Sequence, residues 1–204
     1  MRLAAKVDSS NGVSGTPKQR AQLTGTAGEY FVAAELSLRG WLATVTIKNA
    51  PSIDVLAKHA QTGQTATIQV KTTSKQSGRF ILSAKDEALA EGSDEWYVFV
   101  VLRPLGTRPD FYIVPRQVVS SYLYCVYREW HSRPDRQGRQ RKHVTTRDIN
   151  ADHLGEYKEN WTLLEQPATI APFLGPDWWL EFAALWPRPE GYPGFPAAAS
   201  AVSR

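Results

Sequence analysis

The chain has 204 residues, 42% of them hydrophobic and 22% charged, with a formal net charge of +4. A chain of that length and balance is expected to form one globular domain with a core that needs no covalent staples. Its only cysteine, Cys125, excludes an intramolecular disulfide and a multi-cysteine zinc site. No apolar run approaches the length of a membrane span, and the first residues lack the apolar stretch of a secretory signal. A soluble, cytoplasmic, reducing setting with no membrane partner is the expectation.

Residues 1–17 are polar, with Ser, Asn, Gly and Pro, and read as a flexible lead-in. A long helix is predicted from Lys18 to Arg39, stopped by Gly40. Short strands are predicted over Leu42–Ile47, Ile53–Ala57 and Thr65–Thr72, parted by Pro51 and a turn at Gln61–Gly63. Ala84–Glu91 reads as a second helix. Trp96–Leu102 is a Val-rich apolar run, the mark of a strand buried on both faces. Phe111–Val114 is another strand. Gln117–His131 is an amphipathic helix with Val119, Leu123, Val126 and Trp130 as its stripe.

From Arg128 to Arg147 seven basic residues face two acids, which predicts a basic loop able to attract an anionic polymer, or simply a solvated one. Asn150 is expected to cap a short helix ending near Lys158. The last forty residues hold seven of the thirteen prolines around an aromatic segment, Asp177–Trp186. The domain division is therefore 1–17 lead-in, 18–165 folded domain and 166–204 tail. The order of elements predicts an α/β fold with a mixed central sheet flanked by helices.

Three placements of polar residues stand out. On a helical wheel Ala27, Phe31, Ala34 and Leu38 form one apolar stripe, while Glu29 shares the opposite arc with Val32, Ala33 and Leu36. Acids are rarely set among apolar neighbours unless paired or bound to a metal; Glu29 is otherwise a partly exposed acid at a helix edge. Glu35 and Arg39, four apart, read as a surface ion pair. Asp54 lies inside an apolar strand, or begins that strand from a turn. Strand alternation then sets Thr67, Gln69 and Lys71 on one polar face and Ile68 and Val70 on the other. Hard cations take oxygen ligands from carboxylates, carbonyls and water. An ammonium nearby can position an attacking water or stabilise charge developing on a phosphate.

The stretches Gly28–Trp41 (GEYFVAAELSLRGW), Pro51–Ala57 (PSIDVLA) and Ile68–Ser74 (IQVKTTS) resemble the PD-(D/E)XK nuclease superfamily. They look most like archaeal Holliday-junction resolvases and PD-(D/E)XK homing-type endonucleases. The resemblance covers about residues 20–115. It implies a restriction-endonuclease-like α-β-β-β-α-β core and metal-dependent hydrolysis of DNA phosphodiester bonds. By the same resemblance Glu29, Asp54 and Gln69 would hold Mg²⁺, with Mn²⁺ able to substitute, and Lys71 would assist the attacking water. Two departures accompany it. Pro51 stands three residues ahead of Asp54, so the literal Pro-Asp is absent. Gln69 occupies the position of the usual acid, so its carbonyl brings no charge.

Ser52, Thr72, Thr73, Ser74 and Lys75 flank this constellation and are candidate phosphate contacts. Arg139, Arg141 and Lys142 are candidates to extend a nucleic-acid footprint. A homodimer is expected, since cutting two strands ordinarily takes two sites. No P-loop motif occurs, so no nucleotide cofactor is expected. The four histidines lack metal-ligand spacing, and Cys125 reads as a packing residue. Trp178, Trp179 and Trp186 are expected to dock the tail rather than stack on bases. Three functional readings follow: a metal-dependent endonuclease, a nuclease-fold module that binds nucleic acid without cutting it, and an interaction subunit working through its tail.

Overall fold

The structure, a computed structural model, describes residues 15–46, 53–87 and 94–165. Helix α1 (Pro17–Leu38) starts at a capping box: Gln19 N–H donates to Thr16 Oγ1 (3.3 Å) and Thr16 N–H donates to Gln19 Oε1 (2.8 Å). Pro17 costs nothing at the first helical position, where no N–H is needed. Gly40, at φ +83°, turns the chain into the sheet. Strands β1 (Trp41–Val45), β2 (Val55–His59) and β3 (Thr65–Thr73) form an antiparallel meander. Strands β4 (Arg79–Ser83) and β5 (Glu95–Val101) follow, then β6 (Asp110–Pro115), helix α2 (Arg116–Ser132) and β7 (Thr146–Asn150). The main sheet has the order β1-β2-β3-β5-β6, with β5 parallel to β3 and antiparallel to β6. This is the mixed central sheet, flanked by helices, that the order of elements predicts.

The sheet carries a core on each face. On one, Val32 and Leu36 of α1 pack with Val55, Ile68, Val70, Trp96, Val98 and Val100. On the other, Tyr97, Phe99 and Val101 pack with Phe80, Leu82, Val119, Leu123 and Ile149 from α2, β4 and β7. Strand β5 is buried on both faces, as its apolar run predicts. Full burial of each such side chain contributes about 1.5–3 kcal/mol. Helix α1 comes down to close contact with β3 at Gly28, where an added Cβ would lie 1.9 Å from Thr72 Oγ1.

Several expectations are corrected. Of the two arcs of α1 left open by the sequence, the one with Gly28, Val32 and Leu36 meets the core, and the stripe Ala27, Phe31, Ala34 and Leu38 faces outward. Glu35 and Arg39 are not a lone surface pair: Arg108 binds both Glu35 oxygens at 2.8 Å and also reaches Glu159, and Glu35's carboxyl is held below its usual range chiefly by Arg108. The predicted second helix is, over its described part, a 3₁₀ turn (Ala84–Glu87) following strand β4. Strand β4 pairs with β7 to form a separate two-stranded sheet that sequence reading missed. Asn150 makes no side-chain cap, and a kinked 3₁₀ segment (Ala151–Tyr157) replaces the predicted helix. Arg147 is no part of a solvated loop: it is buried in β7, paired with Glu87 and stacked 3.3 Å from the Tyr127 ring centroid. Residues 1–14 and the tail, with its three tryptophans, lie outside the described residues.

Candidate active site

Strands β2 and β3 pair only as far as Val55 opposite Ile68, and β3 then runs on to Thr73. Asp54 occupies this point of parting. Its N–H donates to the Ile68 carbonyl at 2.9 Å, and its Oδ2 accepts the Val70 N–H at 2.7 Å. The side chain thus takes over a ladder position that β2 no longer supplies. The backbone that brings it there is pinned from β1's end: Thr46 N–H donates to the Asp54 carbonyl (2.9 Å) and Thr46 Oγ1 to the Ile53 carbonyl (2.5 Å). Asp54 therefore starts β2 from a bend, the turn alternative of the sequence reading.

Gln69 and Lys71 flank the amide that binds Asp54. In the parallel ladder they lie opposite Tyr97 and Phe99, so they share the sheet face that carries α2. Both are partly accessible. The Gln69 amide has no hydrogen bond among the described residues, and Asp54 Oδ1 likewise accepts none there. Two oxygens thus remain open for an electropositive ligand at the mouth between the strands. That donor set fits a hard divalent cation, which takes a monodentate carboxylate oxygen and an amide carbonyl. Among the described residues no group of three or more His, Cys, Asp or Glu side chains could hold a metal, in keeping with Gln69 in place of an acid. Glu29 is half-buried on α1, one residue past Gly28, where the helix meets β3 at Thr72.

Lys71 has a partner that sequence reading did not find. Its Nζ lies 3.6 Å from Asp86 Oδ1. Asp86 is 7% exposed and accepts hydrogen bonds from Ser83 N–H (2.7 Å), Ser83 Oγ (2.9 Å) and Tyr97 Oη (2.7 Å). Burial alone would raise its carboxyl; the Lys71 charge, Tyr97 and Ser83 together outweigh that and hold it below its ordinary value. Burial and the adjacent Asp86 push the Tyr97 phenol well up, so it stays a protonated donor. The signal available in sequence was weak: an acid just after the apolar run Phe80–Leu82. Nothing local tied it to Lys71, since the turn Ala84–Glu87 is brought there by β4 pairing with the distant β7.

The flanking residues divide. Ser52 lies outside the described residues. Thr72 is corrected as a phosphate contact: its hydroxyl is buried without a partner against Gly28. Thr73 is also buried, and its hydroxyl accepts the Lys75 N–H at 3.2 Å, which makes it a turn cap. Ser74 and Lys75 remain accessible at the end of β3. Beyond α2, Arg139 is tied to Asp135 (2.9 Å) and Arg133 to Glu129. Arg136, Arg141 and Lys142 have no ion pair among the described residues; Arg141 lies over Trp130 at 4.8 Å and Arg128 over Tyr124 at 4.7 Å. A guanidinium lying flat on an aromatic ring keeps its N–H groups in its own plane, free to meet phosphate oxygens. Cys125 is buried, and burial pushes its thiol up to about 12, which removes it as a nucleophile.

Fold and site together define an α/β domain with a carboxylate, an amide and an ammonium gathered where β2 and β3 part. The family model describing the C-terminal region of the protein NO VEIN matches residues 25–114, which run from α1 through β6. Among solved structures, the chain is similar to a bacterial homing endonuclease at 16% identity and a TM-score of 0.45, over 76% of this chain and 96% of that one. It is also similar to the Holliday junction resolvase Hjc of the archaeal hyperthermophile Archaeoglobus fulgidus, at 15% identity and a TM-score of 0.36, over 61% of this chain and 89% of that one. No curated protein matches. No described helix is long and apolar enough to cross a membrane.

Proposed function

We propose that this chain is a metal-dependent endonuclease that hydrolyses DNA phosphodiester bonds at the mouth between β2 and β3. The observation that carries the reading is the Asp54 carboxylate, pinned by one oxygen to the Val70 amide and open at the other, between Gln69 and Lys71. Asp54 and Gln69 would hold Mg²⁺, or Mn²⁺ in its place, while α1, with Glu29, packs on the opposite face of β3. When bound, the metal lowers the pKa of a coordinated water and neutralises charge on the phosphate.

The chain's own groups do the rest. The Lys71 ammonium, steadied by Asp86, donates hydrogen bonds toward the phosphate oxygens or the attacking water. Asp86 is a positioning residue: it has no open valence for substrate, and it acts through Lys71. Water attacks phosphorus as the bond to the leaving oxygen breaks, the water's proton passes to solvent while the leaving oxygen takes one up, and no covalent enzyme intermediate forms. Arg136, Arg141 and Lys142 would attract the duplex backbone. Glu87, next to Asp86, pairs with Arg147 at the root of that basic loop, so one 3₁₀ turn braces both regions. If three phosphates are neutralised there, the affinity for DNA should fall with salt with a log–log slope of about −2.7 from this loop alone.

The test is cleavage of supercoiled plasmid, linear duplex and a four-way junction in EDTA, Mg²⁺ or Mn²⁺, beside Asp54→Ala and Lys71→Ala proteins. Metal-dependent cutting that both substitutions abolish is the expected result. A second reading has one observation in its favour: uncharged Gln69 leaves the site one carboxylate short. If the protein binds DNA in a salt-sensitive way and cuts nothing, it is a nuclease-fold binding module.

A further inference from the structure

Helix α1 has two apolar faces, and only one is used. Gly28, Val32 and Leu36 are buried against the sheet. The outward face carries Leu38 (82% exposed), Tyr30 (62%), Leu23 (52%) and Phe31 (42%), with Ala27 and Ala34 between them. Four large apolar side chains on one exposed helical stripe are a surface made to be covered. We propose that this stripe is the interface of a homodimer in which α1 packs antiparallel against α1 of a second copy.

Self-complementarity selects that occupant. In a two-fold interface, if residue i meets residue j, then j meets i. For two antiparallel copies of one helix, the stripe must therefore be palindromic. It is: about the point midway between Tyr30 and Phe31, Leu23 mirrors Leu38, Ala27 mirrors Ala34, and Tyr30 mirrors Phe31. Each layer then matches size to size, Leu on Leu, Ala on Ala and ring on ring. The Ala layers let the helix axes approach on either side of the aromatic centre.

Charge agrees. The first turn of α1 holds no acid but carries Lys18 and Arg20, cations at the end where the helix dipole disfavours them. Arg20 is exposed and continues the stripe one turn ahead of Leu23. The antiparallel register sets it beside the carbonyl end of the partner's α1, where a cation is favoured. The inference does not depend on the proposed activity.

The test is sedimentation equilibrium of the full chain at micromolar concentration, with Leu23→Glu, Leu38→Lys and the double variant. The wild type should be a dimer. Each single substitution enters the interface twice by symmetry, at about tenfold apiece, and should weaken association about 100-fold. The double variant should regain dimerisation, since the carboxylate introduced at position 23 of one copy then meets the ammonium introduced at position 38 of the other. Both side chains are exposed in the monomer, so circular dichroism should be unchanged throughout. A monomeric wild type, as when another segment of the same chain covers the stripe, overturns the proposal. So does a dimer that neither single substitution weakens, or a double variant as weak as the singles.

Discussion

Asp54 and Asp86 both approach β3 on the side of Lys71, yet their surroundings give them opposite work. Asp54 holds one backbone amide and leaves an oxygen open at an accessible mouth. Asp86 is buried, with three donors and the Lys71 ammonium around it. A carboxylate with an open oxygen can take a ligand. A carboxylate whose lone pairs are all used can only hold other groups in place. Burial and hydrogen-bond saturation, rather than residue type, separate a reacting acid from a supporting one.

The largest expected effect lies on the open side. Asp54→Asn should keep the bond to the Val70 amide through its amide oxygen, and so melt close to the wild type. Its cleavage rate should fall by about 100-fold or more, since it removes a ligand charge from the centre. Near-normal cutting in plasmid relaxation assays would erase the distinction between the two acids. On the closed side, Asp86→Asn should cost stability first. Breaking a buried ion pair leaves a partner uncompensated, and with Lys71 24% exposed the loss should be about 3 kcal/mol in urea unfolding.

Acid titration sharpens the contrast. A carboxyl held lower in the folded chain than its free value of 3.8 contributes stability above that pH and loses it as pH falls through the folded value. Wild-type stability should therefore decline below pH 3.8, and the Asp86→Asn protein should decline less steeply in that window. The smallest effect is a gain. Gln69→Glu would add a carboxylate beside Asp54 and should lower the Mg²⁺ concentration for half-maximal cutting by about tenfold, or about 1.4 kcal/mol. An unchanged metal requirement would put Gln69 outside the coordination sphere.

The elements read from sequence are those whose signal is local. The glycine that stops α1, the doubly buried run of β5, the alternation of β3 and the extent of α2 all lie close to what is observed, although Trp130 of the predicted α2 stripe is exposed. Strands β4 and β7 escaped because each is five residues long and finds its partner far along the chain. The two faces of α1 are a related case. Both are apolar, and periodicity cannot say which one meets the sheet.

Of the candidate site, Asp54, Gln69 and Lys71 were legible from polar residues interrupting apolar strands, and the structure brings these three to one point. Thr72 was misread because strand alternation puts it on the face opposite Lys71, under α1. The sequence by itself determined α1, α2, the strands β1, β2, β3, β5 and β6, and the polar face of β3, since period-2 and period-3.6 patterns and turn chemistry are written in neighbouring residues. Only the tertiary structure decided that Asp54 is pinned where β2 and β3 part, that Asp86 holds Lys71, that Arg147 is buried while Arg141 is not, and that α1 keeps an uncovered face. Each depends on contacts between residues far apart in the chain, and no local pattern encodes which distant surfaces will close on one another.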